Sequence, residues 1–232
     1  MSTAALDSDK PNGPRSRKGV ETRARLLHAA KETFEESGFL DARISDIAKR
    51  AGLSHGSFYH YFESKEEIFR EVAKGIEDQL SAPLDNVILD HSSAATPHQR
   101  IEQAMRLHMA TYQREARIMR VIEQVSRYDD HVKAARLEWH RLYSEGVEEA
   151  IRQLQRHGLA DSDLDPVIAA AVLGSMTSRF PEMWFVEGAL DCSFERGVEQ
   201  LTRVFVNALG LSDDAPGPGA NAKARARSRL QL

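Results

Sequence analysis

The stretch from residue 48 to residue 69, AKRAGLSHGSFYHYFESKEEIF, leaves few folds open to this chain. Gly52 ends a helical pattern of about residues 45–51 that turns Ile47 and Ala48 inward. Ser54, two residues later, can start another by accepting from the amide of residue 56 or 57. Before them runs a longer helix of about residues 19–37, with Leu27, Ala30 and Phe34 on one face and Gly38 as its stop. Two short helices joined by a tight glycine turn and braced by a longer one form a helix-turn-helix. A fourth helix opens at Ser64, where Ser64-Lys65-Glu66-Glu67 spells a capping box, and runs through Ile68, Phe69, Val72 and Ile76 towards Pro83.

The crowding of five aromatic rings between Phe58 and Phe62 resolves once residues 54–62 are placed at 100° per residue. Phe58, Tyr61 and Phe62 gather on one side with Leu53 and read as core. His55, Gly56, Tyr59 and His60 face the other way, with Ser57 at the margin. The outward set suits a groove of duplex DNA. Gly56 and Ser57 let the backbone approach, and His55 and His60 can bond base edges or phosphates. The Tyr59 hydroxyl and the Lys65 ammonium can hold phosphates. The competing reading is a face that is merely solvated.

Charge is consistent with contact at one end. The net charge is −4, yet residues 10–74 carry 13 Lys/Arg against 10 Asp/Glu while residues 75–211 carry 14 against 21. Such asymmetry hints at a polyanionic partner for the N-terminal part.

The rest of the chain shows helical periodicity and no convincing alternating strand. Ile101, Met105, His108, Met109 and Tyr112 follow a 3.6-residue spacing, and Ile118, Ile122 and Val125 read as a separate short helix. A helix of about 129–157 turns Val132, Trp139, Tyr143, Val147 and Leu154 inward and ends at Gly158. Asp165-Pro166 opens another that runs to about Gly188, with Pro181 expected to kink or break it near Phe180. A last helix covers about 193–209. The fold class is therefore all-α. The divisions are an N-terminal arm at 1–18, a helix-turn-helix head with connecting helix at 19–80, a helical ligand-binding and dimerisation domain at 81–211, and a basic tail at 212–232. Residues 1–18 and 212–232 read as disordered. Arg15, Arg17 and Lys18 in the arm, and Lys223, Arg225, Arg227 and Arg229 in the tail, could add phosphate contacts.

The C-terminal part is rich in adaptable side chains. Met105, His108, Met109, Tyr112 and Met119 stand as candidate contacts for a small apolar ligand, as do Trp139, Tyr143, Met176, Phe180, Met183 and Trp184. Each also fits an ordinary core position, and His108 equally fits a hydrogen-bonded structural histidine. The stretch Ala169, Ala170, Ala171, Gly174, Ser175 and Ser178 keeps side chains small, which allows close helix packing. Together with the apolar side of the last helix (Phe194, Val198, Leu201, Phe205, Leu209), it could form a four-helix interface with a second copy.

A family resemblance sits on these residues. Thr22-Arg23, Leu26-Leu27, Ala29-Ala30, Phe34 and Gly38 lead the set; Ile47-Ala48, Ala51-Gly52-Leu53-Ser54, Phe58-Tyr59, Phe62 and Ser64-Lys65 complete it. This spaced set over about residues 16–75 resembles the DNA-binding head of the TetR family of bacterial repressors. The resemblance implies nine or ten helices, a homodimer built on the last two long helices, a palindromic double-stranded DNA operator and an effector cavity in the bundle. It implies phosphate contacts by Ser54, Tyr59 and Lys65, and base or groove contacts by Ser45, His55, Gly56, Ser57 and His60. Arg43 stands where many relatives have a capping threonine, and it can take a phosphate instead. Tyr61 replaces a histidine frequent in the family. A ligand would act by displacing the helix 64–80, which belongs to both halves.

Other function classes find little footing. The chain has no HExxH, GxSxG, P-loop or GxGxxG, and its scattered histidines (91, 98, 131, 140, 157) show no metal-ligand spacing. No catalytic residue, metal or cofactor is expected. A single cysteine, Cys192, fits a reducing compartment, and the absence of a leader-like start or a membrane-length apolar run points to the cytoplasm. The remaining alternative keeps the DNA-binding head and makes the C-terminal part a protein-interaction or dimerisation module without a small ligand.

Overall fold

A computed structural model describes residues 16–83 and 94–211. Among them all regular structure is helical. The elements are α1 (Arg17–Asp41), α2 (Ile44–Arg50), α3 (His55–Phe58), α4 (Lys65–Pro83), α5 (Pro97–Ser126), α6 (Asp130–Arg156), α7 (Pro166–Pro181), a π-helical turn (Glu182–Val186) and α8 (Phe194–Leu209). The chain divides into two compact units, Met1–Ala73 and Lys74–Leu232. Residues 84–93, just after the expected boundary at residue 80, lie outside the described residues, as do the basic tail and Arg15. Arg17 and Lys18 belong to the first turn of α1, because Ser16 caps it by accepting from the Gly19 amide.

In the first unit α1 does not simply stop at Gly38. That residue kinks the backbone (φ 72°, ψ 174°) and one more turn follows. The kink carries Phe39 back into the core, where it meets Phe69 at 4.8 Å while Phe34 meets the same ring edge-on at 5.0 Å. The end of α2 closes with two bonds, Leu53 N–H to Ala48 O (2.9 Å) and Gly52 N–H to Lys49 O (3.0 Å). This pairing needs a left-handed residue between helix and exit, which Gly52 supplies at φ +68°. Arg25 of α1 donates to the Ala51 carbonyl, and Arg50 pairs with Glu36, so α1 grips the C-terminal end of α2 at two points.

The second unit corrects two expectations of helix number and face. The segments read as separate helices around 101–112 and 118–125 are one 30-residue helix, α5. Glu115 hid the continuity: it occupies an inward position of the stripe and is buried, with Arg114 at 2.8 Å. Eight α-helices and a π-helical turn are therefore described, slightly fewer than nine to ten. The apolar side of α8, expected at a dimer interface, is used internally. Val198, Leu201, Phe205 and Leu209 are buried against Ile101, Met105 and Met109 of α5 and Tyr143, Val147 and Ile151 of α6. Four such side chains contribute roughly 6–12 kcal/mol of burial, which an exposed face would forgo.

Pro181 ends α7, next to the expected break near Phe180, without ending the helical path. It cannot donate to Thr177 O, and the chain passes into a π-helical turn before Gly188 (φ +67°) stops it. Trp184 in that turn packs on Gly197 of α8, where an added Cβ would fall 2.1 Å from the ring. No helix among the described residues is long and apolar enough to cross a membrane.

Candidate nucleic-acid interface and bundle cavity

The helical run of α3 is only one turn, shorter than the 54–62 segment expected; Tyr59 to Phe62 continue as turns held by Tyr61 N–H to Phe58 O and Phe62 N–H to Phe58 O. The division of the aromatics survives this. Phe58 and Phe62 are fully buried, whereas Tyr59 is 50% exposed and His55, Gly56 and His60 lie on the surface. Tyr61, read as core, is only half-buried. The space around a Cβ at Gly56 is open, so the main chain there is bare.

Ser54 caps α3 as expected, accepting from the Ser57 amide at 3.2 Å, and its hydroxyl also meets Ser57 Oγ at 2.7 Å. Arg43 precedes α2 without capping it and is exposed, as is Ser45. Arg43, Ser45, His55 and Tyr59 border one concave patch of the head. Its rim also carries the carboxylates of Glu63 and Glu66, which act against an anion there.

Lys65 ties the end of α1 to the start of α4. Its ammonium donates to the carbonyls of Phe39 (2.7 Å), Leu40 (3.1 Å) and Ala42 (3.0 Å) and lies 4.7 Å from the Phe39 ring centre. All three N–H groups are thereby engaged within the head. The geometric reason is the Gly38 kink, which leaves the last carbonyls of α1 without helical donors beside the start of α4. The capping box is also shifted: Ser64 accepts from Glu67 N–H at 3.1 Å, but the Glu67 carboxylate reaches Glu63 N–H.

The eleven candidate ligand contacts do not share one pocket. His108, Tyr112, Met119 and Trp139 surround a small cavity that also involves Glu77, Leu80, Arg136, His140 and Ser178. Met105 and Tyr143 border a separate apolar one. Met109 is sealed in the core, Met176 and Phe180 pack on its edge, Met183 is half-buried, and Trp184 is taken up by Gly197.

His108 is a structural tie. Its Nδ1 lies 2.9 Å from Leu80 O and its Nε2 3.2 Å from Thr177 O, the carbonyl that Pro181 cannot serve. Burial lowers its pKa despite these carbonyls, so the neutral ring donates to one of the two. Trp139 likewise spends its indole N–H on Glu77 O at 3.0 Å.

Sequence reading missed Glu77 and Arg136. The signal was present: Arg136 interrupts the inward register Val132, Trp139, Tyr143, and Glu77 follows Ile76 into the buried side of α4. Glu77 is 6% exposed and lines the same cavity as Arg136. Burial pushes its pKa up to about 7 from an ordinary 4.5, against the pull of Arg136. The folded state thus keeps this proton to higher pH than the unfolded chain does. Stability should fall as pH rises from about 4.5 to 7 and level off above. Glu77→Gln should therefore stabilise the protein by about 1–2 kcal/mol at pH 8, with the gain shrinking towards pH 4. Thermal melts of both proteins across this range check it; a difference independent of pH would contradict the reading.

An α1–α4 head with a glycine turn and a bare outward face defines a helix-turn-helix DNA-binding unit. Residues 26–72 match the model of the bacterial regulatory proteins of the tetR family. The transcriptional repressor KstR2 of Mycobacterium tuberculosis (strain H37Rv) is 33% identical over 137 residues, 55% of this chain and 67% of that protein. The regulator YdgC of Bacillus subtilis (strain 168) is 29% identical over 184 residues, 75% of this chain and 86% of that one. The chain belongs to the TetR family, whose members are DNA-binding transcriptional regulators. Solved structures agree in fold. SmeT, repressor of a Stenotrophomonas maltophilia multidrug efflux pump, aligns with a TM-score of 0.65 at 21% identity, covering 85% of this chain and 94% of its own. The fatty acid degradation regulator FadR of Bacillus halodurans aligns at 0.67 and 15% identity, covering 89% and 100%.

Proposed function

We propose that the chain is a cytoplasmic transcriptional repressor that binds a palindromic operator as a homodimer and is released by a small, largely apolar effector held in the C-terminal bundle. The observation that carries the DNA reading is the split of the Phe58–Phe62 segment: Phe58 and Phe62 are buried, while Tyr59 and His60, with His55 and Gly56 beside them, form an open surface. Repression and an apolar effector draw support from relatives named for repression, multidrug efflux and fatty acid degradation. On this reading Arg43, Ser45, His55, Gly56, Ser57 and His60 meet the groove or its edges, and Ser54 and Tyr59 hold phosphates. The test is selection of bound duplexes from a random library, with stoichiometry by light scattering. Two half-sites about 34–36 Å apart, bound by two chains, are expected; failure to enrich any sequence would refute the proposal.

A dimer surface is supported by the outer side of α7, where Val167, Ile168 and Val172 are exposed at 54%, 64% and 62%, and by Val204 of α8 at 52%. Bare valines and isoleucines in one stripe favour a covered face. Val172→Arg should convert dimers to monomers in sedimentation experiments and weaken operator binding at least tenfold, with helicity unchanged.

The lever in this scheme is α4. Its C-terminal half is fastened by Trp139 at Glu77 O and by His108 at Leu80 O. An effector that disturbs either bond would shift α4 between a DNA-competent and an incompetent position. Thermal shift against a metabolite library, with and without operator, distinguishes this sensor from a ligand-free interaction module.

A further inference from the structure

Two polar groups of opposite hydrogen-bonding character border the bundle cavity without bonding each other. One is the carboxyl of Glu77, a buried residue that lines the cavity. The other is Arg136 Nη1, which is enclosed without an acceptor, although Nη2 of the same guanidinium is held by Glu123 at 2.8 Å. Both side chains border one cavity, whose apolar wall comes from Leu80, Met119 and Trp139. Glu77 and Arg136 influence each other electrostatically yet form no bond, so an acceptor and a donor stand apart. The space is small, about 20 Å³, enough for one polar group. Arg136, His140 and Ser178 also border an open cleft of about 360 Å³, which provides the approach.

We propose that this gap recognises the hydroxyl group of a neutral, otherwise apolar molecule. The idea deepens the effector reading above and rests on it. Charge decides the class. The guanidinium is already matched by Glu123, and Glu77 can shed its charge by keeping a proton. An ammonium would be buried beside Arg136, whose field already adds to burial in depressing His140. A carboxylate would face Glu77 from within the cavity, with Glu123 behind Arg136. A hydroxyl accepts from Arg136 Nη1 and donates to Glu77 while adding no buried charge. His108 does not compete, since its ring nitrogens are turned to Leu80 O and Thr177 O. The Tyr112 phenol stays neutral because burial raises its pKa.

The test uses the full chain and four probes of one length: 1-hexanol, its isomer methyl pentyl ether, hexylamine and hexanoate. Binding is read from tryptophan fluorescence, to which lining residue Trp139 reports, and by calorimetry. The alcohol should bind about tenfold more tightly than the ether, which cannot donate, and more tightly than either ion. Glu77→Met should abolish that preference. Arg136→Lys, which keeps the charge opposite Glu123 with fewer donors, should weaken the alcohol severalfold. Equal binding of alcohol and ether, tighter binding of an ion, or no binding by any probe would overturn the proposal. Operator release is measured separately. Alcohol binding with the expected preference but no release would leave the site intact and sink the effector reading; release without hydroxyl preference would do the reverse.

Discussion

Gly56→Leu is expected to lower operator affinity a hundredfold or more while leaving the head as stable as before. Leucine is favoured over glycine in a helix by roughly 0.8–1 kcal/mol, and the position is open on every side, so nothing in the fold opposes the change. The side chain would project from the one bare stretch of main chain on the outward face of α3. Leucine carries no charge, so a loss of binding must come from blocked approach rather than repulsion of phosphates. A loss of about 1.4 kcal/mol in each of two heads compounds to about a hundredfold. Fluorescence anisotropy on a selected duplex, with parallel melts, checks both halves. Full affinity in the folded variant would remove this face from the groove.

Lys65→Met should do the opposite: it should unsettle the head itself, by about 2–4 kcal/mol. Three carbonyls at the end of α1 accept from this one ammonium, and charged hydrogen bonds of this kind are worth about 1.5–3 kcal/mol before rehydration offsets part of the loss. The Phe39 ring beneath it loses a cation as well. Were Lys65 a phosphate contact instead, the variant would melt like the parent and only the salt dependence of DNA binding would flatten by about one ion. The two outcomes are separable by a denaturant titration and a salt titration of the same protein. An unchanged midpoint would restore the phosphate role.

The contrast between these two residues shows what could be read along the chain. Gly56, Tyr59 and His60 are outward because Phe58 and Phe62 must be inward, and 100° per residue decides that locally. Gly52 is equally legible, since a helix that ends and restarts within five residues is well served by a left-handed link. Lys65 looked like its neighbours on the surface because its acceptors lie about 25 residues earlier, around a kink whose direction no local pattern gives. In the bundle the same limit applies. Arg136 and Glu77 sit in apolar registers of different helices, each a small irregularity alone, and they become a donor–acceptor pair only where α4 and α6 border one cavity.

By itself the sequence determined the helical class, the position of the glycine turn and the outward face of the head, because these follow from periodicity and backbone stereochemistry within a few residues. Tertiary structure alone decided that Lys65 serves α1, that the apolar stripe of α8 is spent inside its own bundle, and that a carboxyl and a guanidinium meet at a cavity. Those outcomes depend on which distant surfaces pack together, and packing is set by the fit of whole helices rather than by the order of residues along any one of them.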